Sequence, residues 1–179
     1  VSGTWPIESS EYRDVQATLE RYRPHVHAAA EQGAELVLLP EVCVTLDEHS
    51  RQRFVDEVAS WARAKRVAVV LPYFDRSVPK NELVVIDSLG SVVERYEKQH
   101  PVAHVEGRRT RRMRPGPTLV TLGDRQVPVS TVICVDLDYR DLVAPVRRAG
   151  GILVAPSDDW PGFDELHHQS AVWPAVATG

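Results

Sequence analysis

Hydrophobic positions recur along the chain with two periods, one typical of helices and one typical of buried strands. After the serine pair at 9–10, apolar residues return every three or four positions and so share one face of a helix; they are Tyr12, Val15, Leu19, Tyr22, Val26 and Ala29. Gly33 ends this pattern, and the apolar run 35–40 predicts a short strand buried on both faces. A second unit repeats the order, with a helix after Ser50 and a buried strand at 67–71.

The rest of the chain predicts a hairpin, one long loop and a further set of strands and helices. Segments 83–86 and 92–96 flank a glycine-containing turn and predict a β-hairpin. Residues 98–117 lose the periodicity and predict a long loop, which in compact domains is usually functional or disordered. The remaining predicted elements are strands at 118–122, 126–133 and 152–155 and helices at about 138–149 and from 163 onward. Because strands and helices alternate, the sequence predicts an α/β fold with a mixed sheet.

Composition and charge exclude some classes of protein but do not identify a function. A length of 179 residues, with 43% hydrophobic and 26% charged residues, is ordinary for one soluble globular domain. The net charge of −4 argues against a general nucleic-acid binder. The sequence shows no secretory signal pattern and no apolar run long enough to span a bilayer.

Three chemically capable residues stand at or just past the ends of predicted strands: Glu41, Lys98 and Cys134. Taken singly, each has an ordinary structural interpretation, as a paired or capping glutamate, a solvated lysine and an inert buried thiol. Catalytic groups of open α/β sheets nevertheless collect at the carboxyl ends of the strands. A carboxylate, an ammonium and a thiol brought together there are suited to attack on an amide or ester carbonyl.

Several motifs in chain order resemble the nitrilase (carbon-nitrogen hydrolase) superfamily. G-A-E-L-V-L-L-P-E ends on Glu41, Y-E-K-Q-H-P-V contains Lys98 and V-I-C-V-D contains Cys134. The hairpin that begins P-K-N-E-L and the later R-P-G-P also resemble family segments. The resemblance covers nearly the whole chain. It implies an α-β-β-α sandwich with mixed sheets, and it implies that residues 1–179 form one nitrilase-like domain, a fragment that lacks the C-terminal strands of the family.

The resemblance also implies a Glu-Lys-Cys triad with one role for each residue. Cys134 would attack the carbonyl carbon and form a thioester, and Glu41 would act as the general base. Lys98 and the backbone N–H of Val135 would stabilise the oxyanion. No metal and no organic cofactor is implied. We further expect the Lys98 ammonium and the N-terminus of the following helix to hold Cys134 as a thiolate near neutral pH.

Two features resemble the nitrilase domain of apolipoprotein N-acyltransferases. Glu106 lies where those proteins carry a second glutamate, and S-D-D-W-P-G-F, which contains Asp159 and Trp160, resembles their S-N-D-A-W-F-G. These three residues would bind substrate or face the oxyanion. Such a protein would work at the outer face of a membrane, through transmembrane helices outside this segment, with a lipid or lipoprotein acyl donor and acceptor. An amidase-like protein would be cytoplasmic, act on a small amide and form a homo-oligomer.

The sequence leaves alternatives open. Pro174 and Ala177 stand where the family usually has Arg and Glu, so a catalytically inactive structural or interaction domain is the alternative to an enzyme. The basic run 108–114 would suit anionic lipid or an acidic substrate, although such runs are more often solvated loops. The histidines lack the spacing of zinc motifs, so no metal site is expected. Cys43 is predicted to be a reduced thiol rather than half of a disulfide.

Overall fold

The computed structural model describes residues 13–102, 106, 109, 112–113 and 115–158. Helices and strands are interspersed in them, with five consecutive strands between Ala68 and Thr131. The helices are α1 (Val15–Glu31), α2 (Glu48–Lys65) and α3 (Arg140–Ala149), together with a 3-10 helix at Cys134–Asp138. The strands are β1 (Leu36–Leu38), β2 (Thr45–Leu46), β3 (Ala68–Asp75), β4 (Lys80–Ile86), β5 (Val92–Glu97), β6 (Thr118–Leu122), β7 (Arg125–Thr131) and β8 (Ile152–Val154).

Side-chain caps fix the starts of the first two helices. The Asp14 carboxylate accepts a hydrogen bond from the Ala17 N–H at the start of α1, and Asp47 accepts one from the Ser50 N–H at the start of α2. The Ser50 hydroxyl in turn accepts from the Asp47 N–H, which completes a reciprocal capping box. Caps of this kind satisfy backbone donors that have no partner within the helix. The serines at 9–10, predicted to precede the first helix, lie outside the described residues.

Two mixed sheets form the centre of the fold. In the first sheet the strand order is β1-β3-β4-β5, and β2 pairs with the far end of β3. Its β1, β2 and β3 run parallel, whereas β3, β4 and β5 are antiparallel neighbours. In the second sheet, β7 pairs antiparallel with β6 and parallel with β8. The predicted hairpin at 83–86 and 92–96 is therefore the β4-β5 pair, with one additional residue on β5 and three on β4.

The first sheet is covered on both faces, and β3 is buried along its whole length. Alternate residues of a strand point to opposite faces, so β3 contributes to two separate cores. Val69 and Leu71 pack on the side of α1 and α2, with Leu19, Val26, Phe54, Val58 and Trp61. Ala68 and Val70 pack on the second sheet, with Val120, Leu122, Val129, Val132 and Ile133. This helix-sheet-sheet order confirms the predicted α/β fold class.

Two predicted elements differ in detail. The run 35–40 was expected to be a strand buried on both faces, but only Leu36–Leu38 is a strand and Leu38 is 42% exposed. Among the described strands β1 lies at the edge of its sheet, where neighbours cover less of it. The helix expected from about 138 begins at Arg140, because a 3-10 turn occupies Cys134–Asp138. No helix of the described segments is long and apolar enough to cross a membrane, and the helix predicted from 163 lies outside them.

Candidate active site

The described part of the chain brings four of the predicted site residues to one end of the sheets. Glu41 lies in the turn after β1, Lys98 follows β5 directly and Cys134 follows β7 by three residues. Glu106 comes from the long loop that was predicted between the hairpin and β6. The side chains of Glu41, Lys98 and Glu106 are all buried. Charged side chains are almost never fully buried unless they are paired, so their partners decide what this site is.

Lys98 joins two carboxylates. Its Nζ lies 2.8 Å from Glu41 Oε1 and 2.9 Å from Glu106 Oε1. Coulomb attraction at such distances is strong where water is excluded. Burial acts to lower the pKa of Lys98, but Glu41 and Glu106 outweigh it, and the pKa of the ammonium is raised above its ordinary value. Lys98 is therefore a permanent cation at the centre of the site.

Asn81 completes this arrangement and was not among the predicted site residues. Its Nδ2 donates to Glu41 Oε1 at 2.8 Å and to Glu106 Oε1 at 2.7 Å. It lies on β4 and is almost fully buried. The one available sequence signal was a short amide side chain inside a strand, a position that Asn rarely occupies. Two carboxylates thus share both an ammonium and an amide donor.

Backbone donors occupy the second oxygen of each carboxylate. The Asp158 N–H donates to Glu41 Oε2 at 3.0 Å, and the Val102 N–H donates to Glu106 Oε2 at 2.6 Å. Hydrogen bonds to ionised groups are roughly twice as strong as neutral ones. They hold the orientation of both carboxylates; Glu106 Oε2 also lies 2.9 Å from Lys98 Nζ.

Cys134 stands at a sharp turn. Its φ is 49°, in the left-handed region that non-glycine residues seldom adopt. The Cys134 N–H donates to the Pro156 carbonyl at 2.9 Å. The thiol lies against the Glu41 carboxylate and the Ser157 side chain, and both influence its pKa. Val135, the predicted oxyanion donor, follows Cys134 directly and is half-buried.

The Cys134 thiol is not the thiolate that the sequence suggested. Burial, followed by the Glu41 carboxylate, raises its pKa to about 12, although Lys98 acts in the opposite direction. The expected helix N-terminus is also displaced, because a 3-10 turn follows Cys134 and α3 begins only at Arg140. Burial also raises the pKa of Glu41, with Lys98 opposing it. At neutral pH the Cys134 thiol therefore keeps its proton, next to the Glu41 side chain.

The remaining predicted site residues are placed differently. Asp159 and Trp160 lie outside the described residues, as do Pro174 and Ala177. Of the basic run, Arg109 and Arg112 are described; they border a cavity of about 230 Å³ together with Gln99, His100, Met113, Asp141 and Leu142. Both cysteines are free thiols. Cys43 is buried and donates to the Pro72 carbonyl, and burial raises its pKa above the ordinary range. It is suited to a structural role.

Comparisons with known proteins find one matching family and a set of similar folds. The sequence model of the family described as carbon-nitrogen hydrolase matches residues 5–174. Among solved structures, an amidase from Nesterenkonia sp. superposes with a TM-score of 0.78 at 20% identity, over 93% of this chain and 68% of that chain. A cysteine-to-alanine mutant of the Nesterenkonia sp. AN1 amidase in complex with butyramide gives 0.79 at 19%, over 93% and 68%. A glutamate-to-glutamine, cysteine-to-alanine double mutant of that amidase with acrylamide gives 0.77 at 18%, over 93% and 68%. At these identities, the likeness is one of fold.

Proposed function

Since the chain belongs to the carbon-nitrogen hydrolase family of the nitrilase superfamily, we propose that it cleaves the C–N bond of a small amide through a thioester on Cys134. Glu41 is the general base in this proposal, and Lys98 and the Val135 N–H stabilise the oxyanion. Glu106 is a further site carboxylate that holds Lys98. The complexes of the similar Nesterenkonia amidase with butyramide and acrylamide suggest an uncharged aliphatic amide as the first substrate to test.

One observation carries the proposal: a buried ammonium 2.8 Å from a carboxylate that itself lies against a cysteine thiol. An isolated buried ion pair is poor evidence for catalysis, because such pairs also occur as structural elements. Here the thiol beside the pair stands at a strained turn, and backbone strain of this kind concentrates at functional sites. A nucleophile, a base and a cation are the groups that nucleophilic catalysis requires, and their proximity supports the proposal.

The first half of the reaction makes the thioester. As Cys134 Sγ bonds to the carbonyl carbon, its proton passes to Glu41, and the C=O electron pair moves onto oxygen. Lys98 and the Val135 N–H face that oxyanion. When the tetrahedral intermediate collapses, the C–N bond breaks, and ammonia or an amine leaves with the proton from Glu41. Loss of one oxyanion donor typically slows such reactions by about 10²- to 10³-fold.

The second half resolves the thioester. Glu41, ionised again, takes a proton from water as the water oxygen attacks the thioester carbon. The C–S bond then breaks, the carboxylic acid departs and the proton returns to sulfur. No redox partner or cofactor is needed for this balance. General-base assistance of this kind contributes roughly 10²- to 10⁴-fold.

Acyl transfer is a second candidate, in which an amine replaces water in the last step. The buried contact between Glu106 and Lys98 supports this candidate. The resemblance to apolipoprotein N-acyltransferases includes a glutamate at the position of Glu106. The donor and acceptor would then be a lipid and a lipoprotein, near a membrane surface. An inactive domain of the same fold remains the alternative to both enzymatic candidates.

Acyl-enzyme trapping tests the proposal. The wild-type protein, Cys134→Ala and Cys43→Ala are incubated with p-nitrophenyl butyrate, and peptides are mapped by mass spectrometry. We expect a butyryl adduct on Cys134 in the wild-type protein and in Cys43→Ala, and none in Cys134→Ala. Release of ammonia from butyramide by the wild-type protein would establish hydrolysis, whereas an N-acyl product formed from an added amine would favour transfer. Absence of the adduct together with absence of p-nitrophenol and ammonia release, or an adduct that persists in Cys134→Ala, would leave the inactive alternative.

A further inference from the structure

Asp136 is a fully buried carboxylate that contacts neither Lys98 nor Glu41 in the hydrogen bonds described above. Three donors and a His100 ring nitrogen face its two oxygens. Oδ2 accepts from the Tyr96 hydroxyl and the Gln99 N–H, each at 2.8 Å. Oδ1 accepts from the His100 N–H at 2.8 Å and lies 3.0 Å from His100 Nδ1. We call these residues, Asp136, Tyr96, Gln99 and His100, the Asp136 cluster.

The cluster joins the two segments that carry the nucleophile and the cation. Its donors, at the end of β5 and just beyond it, flank Lys98 on both sides in sequence. Its acceptor is in the 3-10 turn that begins with Cys134. Lys98 belongs to the end of the first sheet and Cys134 to the end of the second. Asp136 therefore links the two sheets next to the reacting groups.

The turn itself also depends on Asp136. The Asp136 N–H donates to the Ile133 carbonyl at 3.0 Å, which closes the turn around Cys134 in its positive-φ conformation. A second bond, from the Cys134 N–H to the Pro156 carbonyl, holds the other side. The backbone of Asp136 thus shapes the nucleophile turn, while its side chain ties that turn to the segment around Lys98.

From this geometry we propose that Asp136 is a positioning residue, which fixes Lys98 relative to the Cys134 sulfur in the reaction proposed above. The inference rests on that proposed function. Displacement of reacting groups by about 1 Å can cost roughly 10²-fold in rate. Asp136→Asn keeps the shape of the side chain but replaces one acceptor oxygen with a donor, which then opposes an N–H or O–H of the cluster. The substitution should therefore loosen the link without emptying the space.

The test uses alkylation of Cys134 by iodoacetamide, which needs no turnover. Lys98 favours the thiolate, so loss of its correct position should slow alkylation. Rates are measured for the wild-type protein, Asp136→Asn, Lys98→Gln and the double variant, each shown by its melting curve to be folded. Asp138→Asn is the matched control, because Asp138 is exposed on the same turn. Tyr96→Phe replaces Asp136→Asn if that variant does not fold.

We expect Asp136→Asn to slow alkylation by about 10- to 100-fold, with Asp138→Asn within about twofold of wild type. If Asp136 acts through Lys98, the double variant should be no more than about threefold slower than the slower single variant, because coupled residues are not additive. A wild-type rate in folded Asp136→Asn, or multiplying effects in the double variant, would overturn the proposal. If Lys98→Gln does not fold, the alkylation rate of Asp136→Asn relative to that of Asp138→Asn decides.

Turnover provides a second and separable result. With p-nitrophenyl butyrate, the Asp136 variant should lower kcat while KM stays within about threefold, since a positioning defect acts on the reacting groups. A wild-type protein that is alkylated at Cys134 but never acylated would contradict the proposed function and leave the alkylation result on Asp136 intact. A variant that raises KM and leaves kcat unchanged would indicate that Asp136 acts in substrate binding, and would count against a positioning role.

Discussion

Asn81→Asp is the substitution that most directly tests how the two site carboxylates are held together. Asn81 Nδ2 donates to both Glu41 Oε1 and Glu106 Oε1, at 2.8 and 2.7 Å, and both carboxylates also contact Lys98. The replacement has nearly the same size, so it leaves no cavity. It removes the shared amide donor and brings a third carboxyl group to a buried site with one cation. We expect the introduced carboxyl to stay protonated in the folded protein, because only its O–H can still donate.

The expected loss in free energy of unfolding has two contributions. At low pH the introduced group donates one hydrogen bond where the amide donated two, and a lost bond to a charged group costs about 1.5 to 3 kcal/mol. Above the ordinary Asp pKa of about 3.9, the unfolded chain releases the proton while the folded protein keeps it. The folded-state pKa is raised, so the free energy of unfolding relative to wild type falls as pH rises, by about 1.4 kcal/mol per pH unit. Between pH 4 and pH 6 this adds about 2.4 kcal/mol, because the slope reaches its full value only above the unfolded-state pKa.

Urea unfolding followed by tryptophan fluorescence at several pH values measures this difference. Gln126→Glu is the matched control, because it makes the same change from amide to carboxyl at an exposed position of β7. Its free energy of unfolding should stay within about 0.5 kcal/mol of wild type at each pH, as for most surface substitutions. A difference between Asn81→Asp and wild type that does not change with pH would refute the reasoning, since it would mean that the introduced carboxyl ionises freely in the folded protein.

Two further predictions concern Cys134 and a glycine at the start of β8. With the pKa of Cys134 at about 12, the rate of its alkylation by iodoacetamide should rise about tenfold per pH unit from pH 7 to pH 10; a plateau near pH 8 would mean that Lys98 outweighs burial. Gly151 has a φ of +103°, and a Cβ there would lie 2.2 Å from the Pro128 carbonyl oxygen, whereas Gly33, at +90°, has no atom within 4 Å of that position. Gly33→Ala should therefore cost only backbone strain, about 1 to 2 kcal/mol, and Gly151→Ala clearly more in urea unfolding; equal costs would contradict the close approach.

The sequence was sufficient for the parts of this structure that depend on local pattern. The run that became β3 was visible because a strand buried on both faces is continuously apolar, and β6 and β7 were visible as two runs that flank a glycine turn. The order of Glu41, Lys98 and Cys134 was visible because each follows such a run. The burial of Lys98, at 1% exposure, was not visible, because its partner Glu41 lies 57 residues away in sequence.

Properties that arise from contacts distant in sequence escaped prediction. Asn81 lies 40 residues from Glu41 and 25 from Glu106, so no spacing rule connects it to either. The protonation of Cys134 was predicted with the wrong sign, because the thiol was assigned a cation and a helix terminus but not its own burial and the nearby Glu41 carboxylate. Burial and charges contributed by residues distant in sequence dominate pKa values in buried sites, and neither can be read from the local pattern.

The charge count of the site explains why a protonated thiol is compatible with the proposed reaction. At rest, Glu41 and Glu106 share the single cation of Lys98, and a thiolate would add a third negative charge to buried surroundings. When the Cys134 proton moves to Glu41 during attack, the total charge stays the same, and the negative charge moves from Glu41 to the carbonyl oxygen. The ammonium of Lys98 then loses its ionised partner on one side and is free to interact with the oxyanion, while Glu106 still holds it in place. An interaction that strengthens only as the transition state forms is the kind that accelerates the chemical step.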